Sequence, residues 1–239
     1  MVKRKAWTKW LLALAVSAAL ALCGCAGNEK ETPKPEKDDV SGGSSPEVDY
    51  MIIVNYGSPL PEDWLDRVEF HAGVNSVGDD VYTETESYKA YLKLKKDVEN
   101  DLKDRKFTLE LDSAYRSKAD QQKIVDEFTE KYGADYVSRY VAAPGYSEHQ
   151  TGLALDLYFI VGDKTVYENE DLVQYPEIWE VIHRKLPKYG FILRYPEDKE
   201  SVTGTSYEPW HIRYVGSPET AKDITDRDMA LEEYVAEIK

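Results

Sequence analysis

Ser147-Glu148-His149-Gln150-Thr151-Gly152-Leu153-Ala154-Leu155-Asp156-Leu157-Tyr158-Phe159-Ile160 passes from a polar cluster into an alternating run. With a side-chain period of two, Leu153, Leu155, Leu157 and Phe159 share one face of a strand, and Ala154, Asp156 and Tyr158 share the other. The position of Asp156 in the middle of such a strand requires a partner, because an unpaired carboxylate among apolar side chains is costly. Downstream, Trp179, Ile182, Leu186 and Tyr189 recur at helical spacing and end near Gly190. His211 to Val215 reads as a final strand with His211 and Arg213 on one face, and Ser217-Pro218 opens a closing helix.

Upstream, Tyr88, Tyr91, Leu92, Lys95, Val98 and Leu102 predict an amphipathic helix from about Glu86 to Asp104. Phe107 to Leu111 alternates as a strand and runs into Ser113-Ala114-Tyr115-Arg116. Ser117 with Asp120 then forms a capping box that opens a helix to about Lys131, so Arg116 stands at a strand-to-helix junction. Tyr50 to Asn55 reads as a short strand followed by turns at Pro59 and Pro61. Short strands mixed with unevenly placed helices, without internal repeats, give an α+β fold rather than a doubly wound sheet.

The first fifty of the 239 residues are different in kind. A basic start at Lys3-Arg4-Lys5, an apolar run from Trp10 to Leu22 and a small-residue site make an export signal too short to span a bilayer comfortably. Both cysteines lie at its end, in Leu22-Cys23-Gly24-Cys25, which resembles a bacterial lipobox with Cys25 as the acylated residue. Cys23 does not fit, because Leu22 would occupy the small-residue position. The expected organisation is a signal peptide at 1–24, lipidated Cys25 and a polar tether to residue 48, and one folded domain from 49 to 239. That tether is rich in Pro, Gly, Ser and charge and cannot offset the entropy of ordering. The expected location is outside the cytoplasmic membrane, held by lipid.

The formal charge of −15 argues against nucleic acid as a partner, because binding a polyanion calls for concentrated Lys and Arg. Losing residues 1–24 removes Lys3, Arg4, Lys5 and Lys9 and no acids, so the charge moves to −19.

Among the four histidines, His149 and His211 lie in polar motifs beside strand carboxylates, whereas His71 and His183 have no comparable neighbours and read as structural. A catalytic zinc takes three ligands from His and carboxylate and leaves a position open for water. His149, Asp156 and His211 offer that set. Glu208, three residues before His211 and held extended by Pro209, can reach a water at the metal without ligating it, which suits a general base.

Ser147-x-His149-x6-Asp156 together with Glu208-x-x-His211 resembles the signature of the LAS metallopeptidases, which include VanY-type D-alanyl-D-alanine carboxypeptidases, related L,D-carboxypeptidases and the hedgehog signalling domain. The likeness runs from about Asp49 to the C-terminus and takes in Gly190-Phe-Ile-Leu-Arg-Tyr-Pro196 and Glu208-Pro-Trp-His-Ile-Arg-Tyr-Val-Gly216. The resemblance implies a central antiparallel sheet flanked by helices and Zn2+ on His149, Asp156 and His211. It implies Glu208 as base and then proton donor, Arg116 as the family arginine that holds substrate and oxyanion, and Gln121 and Ser147 as substrate hydrogen-bonders. One departure is Ser113-Ala-Tyr-Arg116, where glycine is commoner at the second position. The implied activity is D,D-carboxypeptidase action on the terminal D-Ala of peptidoglycan stem peptides. L,D-carboxypeptidase or endopeptidase action of the same chemistry, and a non-catalytic metal-stabilised lipoprotein that binds wall peptides, are the alternatives.

Overall fold

The computed structural model describes residues 47–75 and 78–239. Cys25, the export signal and nearly all of the tether therefore lie outside the described residues. A short helix α1 (Trp64–Arg67) precedes a two-stranded antiparallel ribbon of β1 (Phe70–Val74) and β2 (Asp80–Glu84). Helix α2 (Thr85–Asp101) leads to β3 (Phe107–Ser113), then α3 (Lys118–Tyr132) and α4 (Ala134–Tyr140). A 3-10 turn at Glu148–Thr151 feeds β4 (Ala154–Val161) and β5 (Lys164–Val166). The chain closes with α5 (Asn169–Leu172), α6 (Pro176–Lys185), β6 (Phe191–Leu193), α7 (Glu200–Thr203), β7 (His211–Tyr214), α8 (Pro218–Asp226) and α9 (Leu231–Ile238).

The main sheet runs β3-β4-β7-β6, with β5 pairing the end of β4, and every pairing is antiparallel. The alternation in β4 does what its period requires. Leu153, Leu155, Leu157 and Phe159 are at most 1% exposed, in one apolar cluster with Leu94 and Val98 of α2 and Ile178, Trp179 and Ile182 of α6. At roughly 25 cal/mol per Å2 of apolar area, each such side chain contributes about 1.5–3 kcal/mol. A second cluster joins Ile192 and Val215 to Ala221, Ile224, Leu231 and Val235 of α8 and α9. The mixed α+β class, with an antiparallel sheet flanked by helices, is as expected.

Two expectations are corrected. Tyr50 to Asn55 is not a strand: it is a turn and extended coil whose carbonyls are taken by a side chain, as described below. In α2 the buried line is Ser87, Ala90, Tyr91, Leu94 and Val98, while Leu92 is 45% exposed. Positions 92 and 94 lie about 200° apart around a helix, so only one can face the sheet. That helix stops at Asp101 and tightens into a 3-10 turn at Lys103–Arg105.

The polar motif is placed by backbone geometry. The 3-10 turn ends at Gly152, whose φ of 72° is left-handed, and a Cβ there would lie 2.5 Å from a ring carbon of Phe70. Glycine both permits the turn and lets the chain pass against the ribbon, where the Glu84 N–H donates to the Gly152 carbonyl at 2.9 Å.

Candidate metal and peptide site

In β4, Asp156 pairs with Ser113 on one side and His211 on the other, so three strands bring Ser113, Asp156 and His211 into one row. His149 reaches the same point from the 3-10 turn. One oxygen or nitrogen each from His149, Asp156 and His211 lie within 4.8 Å of one another, the one group of that kind among the described residues. His149 and His211 are buried, and the Asp156 side chain retains 17% exposure, which leaves an opening.

Hydrogen positions decide whether a cation fits. The Ala114 carbonyl can only accept, so His149 Nδ1, 2.8 Å away, is the donor and its Nε2 carries a lone pair. His211 Nε2 lies 3.0 Å from Glu148 Oε2, which makes that nitrogen a donor and turns Nδ1 toward the site. His149 Nε2 then faces Asp156 Oδ2 at 3.2 Å, and His211 Nδ1 faces Oδ1 at 3.0 Å. Oδ1 is buried and accepts no hydrogen bond. Two ring nitrogens and a carboxylate oxygen converging at this point fit a small divalent cation that takes the place of the His211 Nδ1 proton, and two imidazoles with one carboxylate suit zinc. The electrostatics agree: although burial opposes ionisation of Asp156, the two imidazoles hold its carboxyl well below the usual carboxylate range. Burial likewise opposes charging of His211, yet Asp156 and Glu148 raise it to about 10, so without a metal its Nδ1 holds a proton that a bound cation would displace. Burial instead keeps His149 below its ordinary value.

Glu208 lies beside this group, its Oε2 3.7 Å from His211 Nδ1, with 28% of its side chain exposed. Burial and then the Asp156 charge push its carboxyl up to about 7, against the pull of His211. On the other side, Arg116 is fixed through both backbone and side chain. Its N–H donates to the His149 carbonyl at 3.2 Å, and its guanidinium donates to Gln121 Oε1 at 3.1 Å. Gln121 donates in turn to the Ala142 carbonyl at 2.7 Å. Gln121 is thus the brace of Arg116, a role the sequence did not reveal. Ser147 is buried at the start of the 3-10 turn, its carbonyl accepting from Gln150 at 3.1 Å.

The profile described as VanY, D-alanyl-D-alanine carboxypeptidase, matches residues 81–217. This chain is a member of the VanY D-alanyl-D-alanine carboxypeptidase family. A relative from Enterococcus gallinarum, the bifunctional D-Ala-D-Ala dipeptidase and carboxypeptidase VanXYC, is 38% identical over 161 residues, covering 65% of this chain and 78% of its own. The structure of VanYB in complex with D-alanine-D-alanine superposes with a TM-score of 0.62 at 30% identity, covering 80% of this chain and 99% of that one. A vancomycin-resistance D,D-pentapeptidase VanY holding Zn(II) has a TM-score of 0.61 at 30% identity, with coverage of 78% and 98%. The LdcB LD-carboxypeptidase has a TM-score of 0.64 at 31% identity, with coverage of 78% and 86%.

Within this VanY-family site the sequence reading passed over Glu148 as a spacer between Ser147 and His149. Its side chain is 1% exposed and receives Arg194 Nε and Arg213 Nη1, each at 2.7 Å, besides His211. Burial alone would raise its carboxyl, but the two guanidinium groups hold it far below the usual range. A signal was present: Arg194 and Arg213 each interrupt an apolar strand context and had to meet an acid. His183 keeps its structural reading and gains a definite contact, its Nε2 lying 2.9 Å from the carbonyl of Pro209, next to Glu208. His71 stacks on Tyr88.

Proposed function

We propose that this chain is a zinc-dependent D,D-carboxypeptidase that removes the terminal D-Ala from peptidoglycan stem peptides. The observation that carries the reading is the convergence of His149 Nε2 and His211 Nδ1 on the two oxygens of the Asp156 carboxylate, flanked by a carboxylate with a raised pKa and a braced guanidinium. Zinc bound there supplies Lewis acidity, polarising the scissile carbonyl and acidifying the attacking water. Glu208 takes the proton of that water and returns it to the amine of the departing D-Ala, a double use suited to a carboxyl that ionises near neutrality. Arg116 stabilises negative charge on the carbonyl oxygen or pairs with the terminal carboxylate in a two-pronged contact, with Gln121 setting its direction and Ser147 beside the substrate. Membrane attachment through acylated Cys25, with residues 26–48 as tether and the domain in the wall, belongs to the same proposal and rests on the lipobox alone.

The D,D assignment is supported by the family match and by the D-Ala-D-Ala names of the relatives. The comparable fit of an L,D-carboxypeptidase favours the second reading, in which the chain cuts a tetrapeptide to a tripeptide. Competition between pentapeptide and tetrapeptide stems at equal concentration, read by mass of products, separates them. Pentapeptide is expected to disappear first, and faster loss of tetrapeptide would overturn the D,D assignment while leaving the zinc carboxypeptidase in place.

A further inference from the structure

The family match stops at residue 217, yet the charge network behind His211 takes in groups from both sides of that boundary. Arg194, fully buried after β6, donates from Nε to Glu148 at 2.7 Å and clasps Glu232 of α9 with Nη1 at 2.9 Å and Nη2 at 2.6 Å. Asn55, from the segment before the ribbon, donates to the same Glu232 carboxylate at 3.3 Å. Arg213 completes the knot: Nη1 donates to Glu148 at 2.7 Å, while Nη2 takes the carbonyls of Tyr50 at 3.0 Å and Ile52 at 2.9 Å. Two fully buried guanidinium groups thus face two carboxylates, Glu148, which is buried, and Glu232, whose side chain is 16% exposed. The output of this network is one hydrogen bond, from His211 Nε2 to Glu148 Oε2, which sets the direction of Nδ1.

We infer that Glu232 is a positioning residue of the metal centre, so that the last helix, outside the matched family residues, tunes how well His211 holds the ion. The inference rests on the metal site proposed above. Without the Glu232 charge, Arg194 is left with Glu148, already shared with Arg213, as its sole remaining acid. It then draws the carboxylate toward itself and away from His211, weakening the contact that orients the ring and makes its free nitrogen a good donor.

The test uses the full chain and measures zinc dissociation by competition with a chromogenic chelator, with circular dichroism as a check on folding and steady-state kinetics beside it. Glu232→Gln keeps the shape and loses the charge. It is expected to weaken zinc binding ten- to a hundredfold, the range for lost outer partners of a metal ligand, and to lower kcat with KM little changed. Glu232→Asp should recover part of the loss. Glu233→Gln, which breaks the pair between that residue of α9 and Lys199 at the start of α7, should leave zinc affinity unaltered. A folded Glu232→Gln protein that binds zinc within twofold of the parent would overturn the inference. Should that variant not fold, Asn55→Ala removes the neutral hydrogen bond to the same carboxylate and is expected to weaken zinc two- to fivefold, no weakening being equally decisive against it. A parent protein that takes up no zinc would overturn the metal site instead.

Discussion

Glu208 carries the most exacting chemical demand, and its position states the conflict it must resolve. Burial raises its carboxyl to about 7, which makes it a competent base near neutrality and a strain on the fold above it. In the unfolded chain the same group ionises at the ordinary Glu value. Between that value and about 7 the folded protein therefore holds a proton that the unfolded chain has released, and stability falls as pH rises through the window. Glu208→Gln removes this loss. The zinc-free variant is expected to melt about 2–4 °C above the zinc-free parent at pH 8, roughly the effect of 1 kcal/mol in a domain of this size, and calorimetry showing equal midpoints would count against the account. The same variant should retain zinc and lose turnover by about a hundredfold or more, with the parent's kcat/KM declining as pH falls below about 7. His149→Ala should differ by losing the metal as well as the activity, which elemental analysis resolves.

At the scale of the element, two segments do more than connect. Helix α6 presents His183 to the Pro209 carbonyl, stacked on Trp179, and so fixes the loop that carries Glu208. His183→Ala should free that loop. We expect kcat to fall on the order of tenfold with zinc affinity retained, because a misdirected base costs orientation and not the ion. A variant with unaltered kcat would show that Pro209 and the strand hydrogen bonds suffice. The turn between the 3-10 segment and β4 is the other such element. Gly152→Ala must accommodate a left-handed φ and a Cβ 2.5 Å from the Phe70 ring, so a destabilisation of about 2–4 kcal/mol is expected in urea unfolding. A loss below about 0.5 kcal/mol would mean that the ribbon yields easily at that point.

The whole molecule is a sheet that converges residues from three separate stretches on one opening. Ser113 and Arg116 come from the end of β3, His149 and Asp156 from the approach to β4 and its interior, Glu208 and His211 from the loop into β7. Packing against the main core begins at Val48, where the proposed tether ends. If acyl chains on Cys25 hold the protein to a membrane, Cys25→Ala should release it from the membrane fraction or block its processing, and Cys23→Ala should leave anchoring intact. A Cys25→Ala protein processed normally and still membrane-bound would reject lipidation at that residue.

Periodicity and spacing determined the helices α2, α3 and α6, the strands β3, β4 and β7, the caps at Ser117 and Ser217, and the three residues that converge as a metal-binding group. These are local signals: a period of two or 3.6, a hydroxyl before a helix, a carboxylate stranded in an apolar strand. Tertiary structure alone decided the partners of the buried charges, since Glu148 finds Arg194 46 residues away and Arg213 65 residues away. It also decided that Tyr50 and Ile52 give their carbonyls to Arg213 and not to a neighbouring strand, and that Leu94, not Leu92, meets the sheet. A chain announces locally that a charge or an apolar stripe must be buried. Which group meets it is settled only when distant segments compete for the same water-free space.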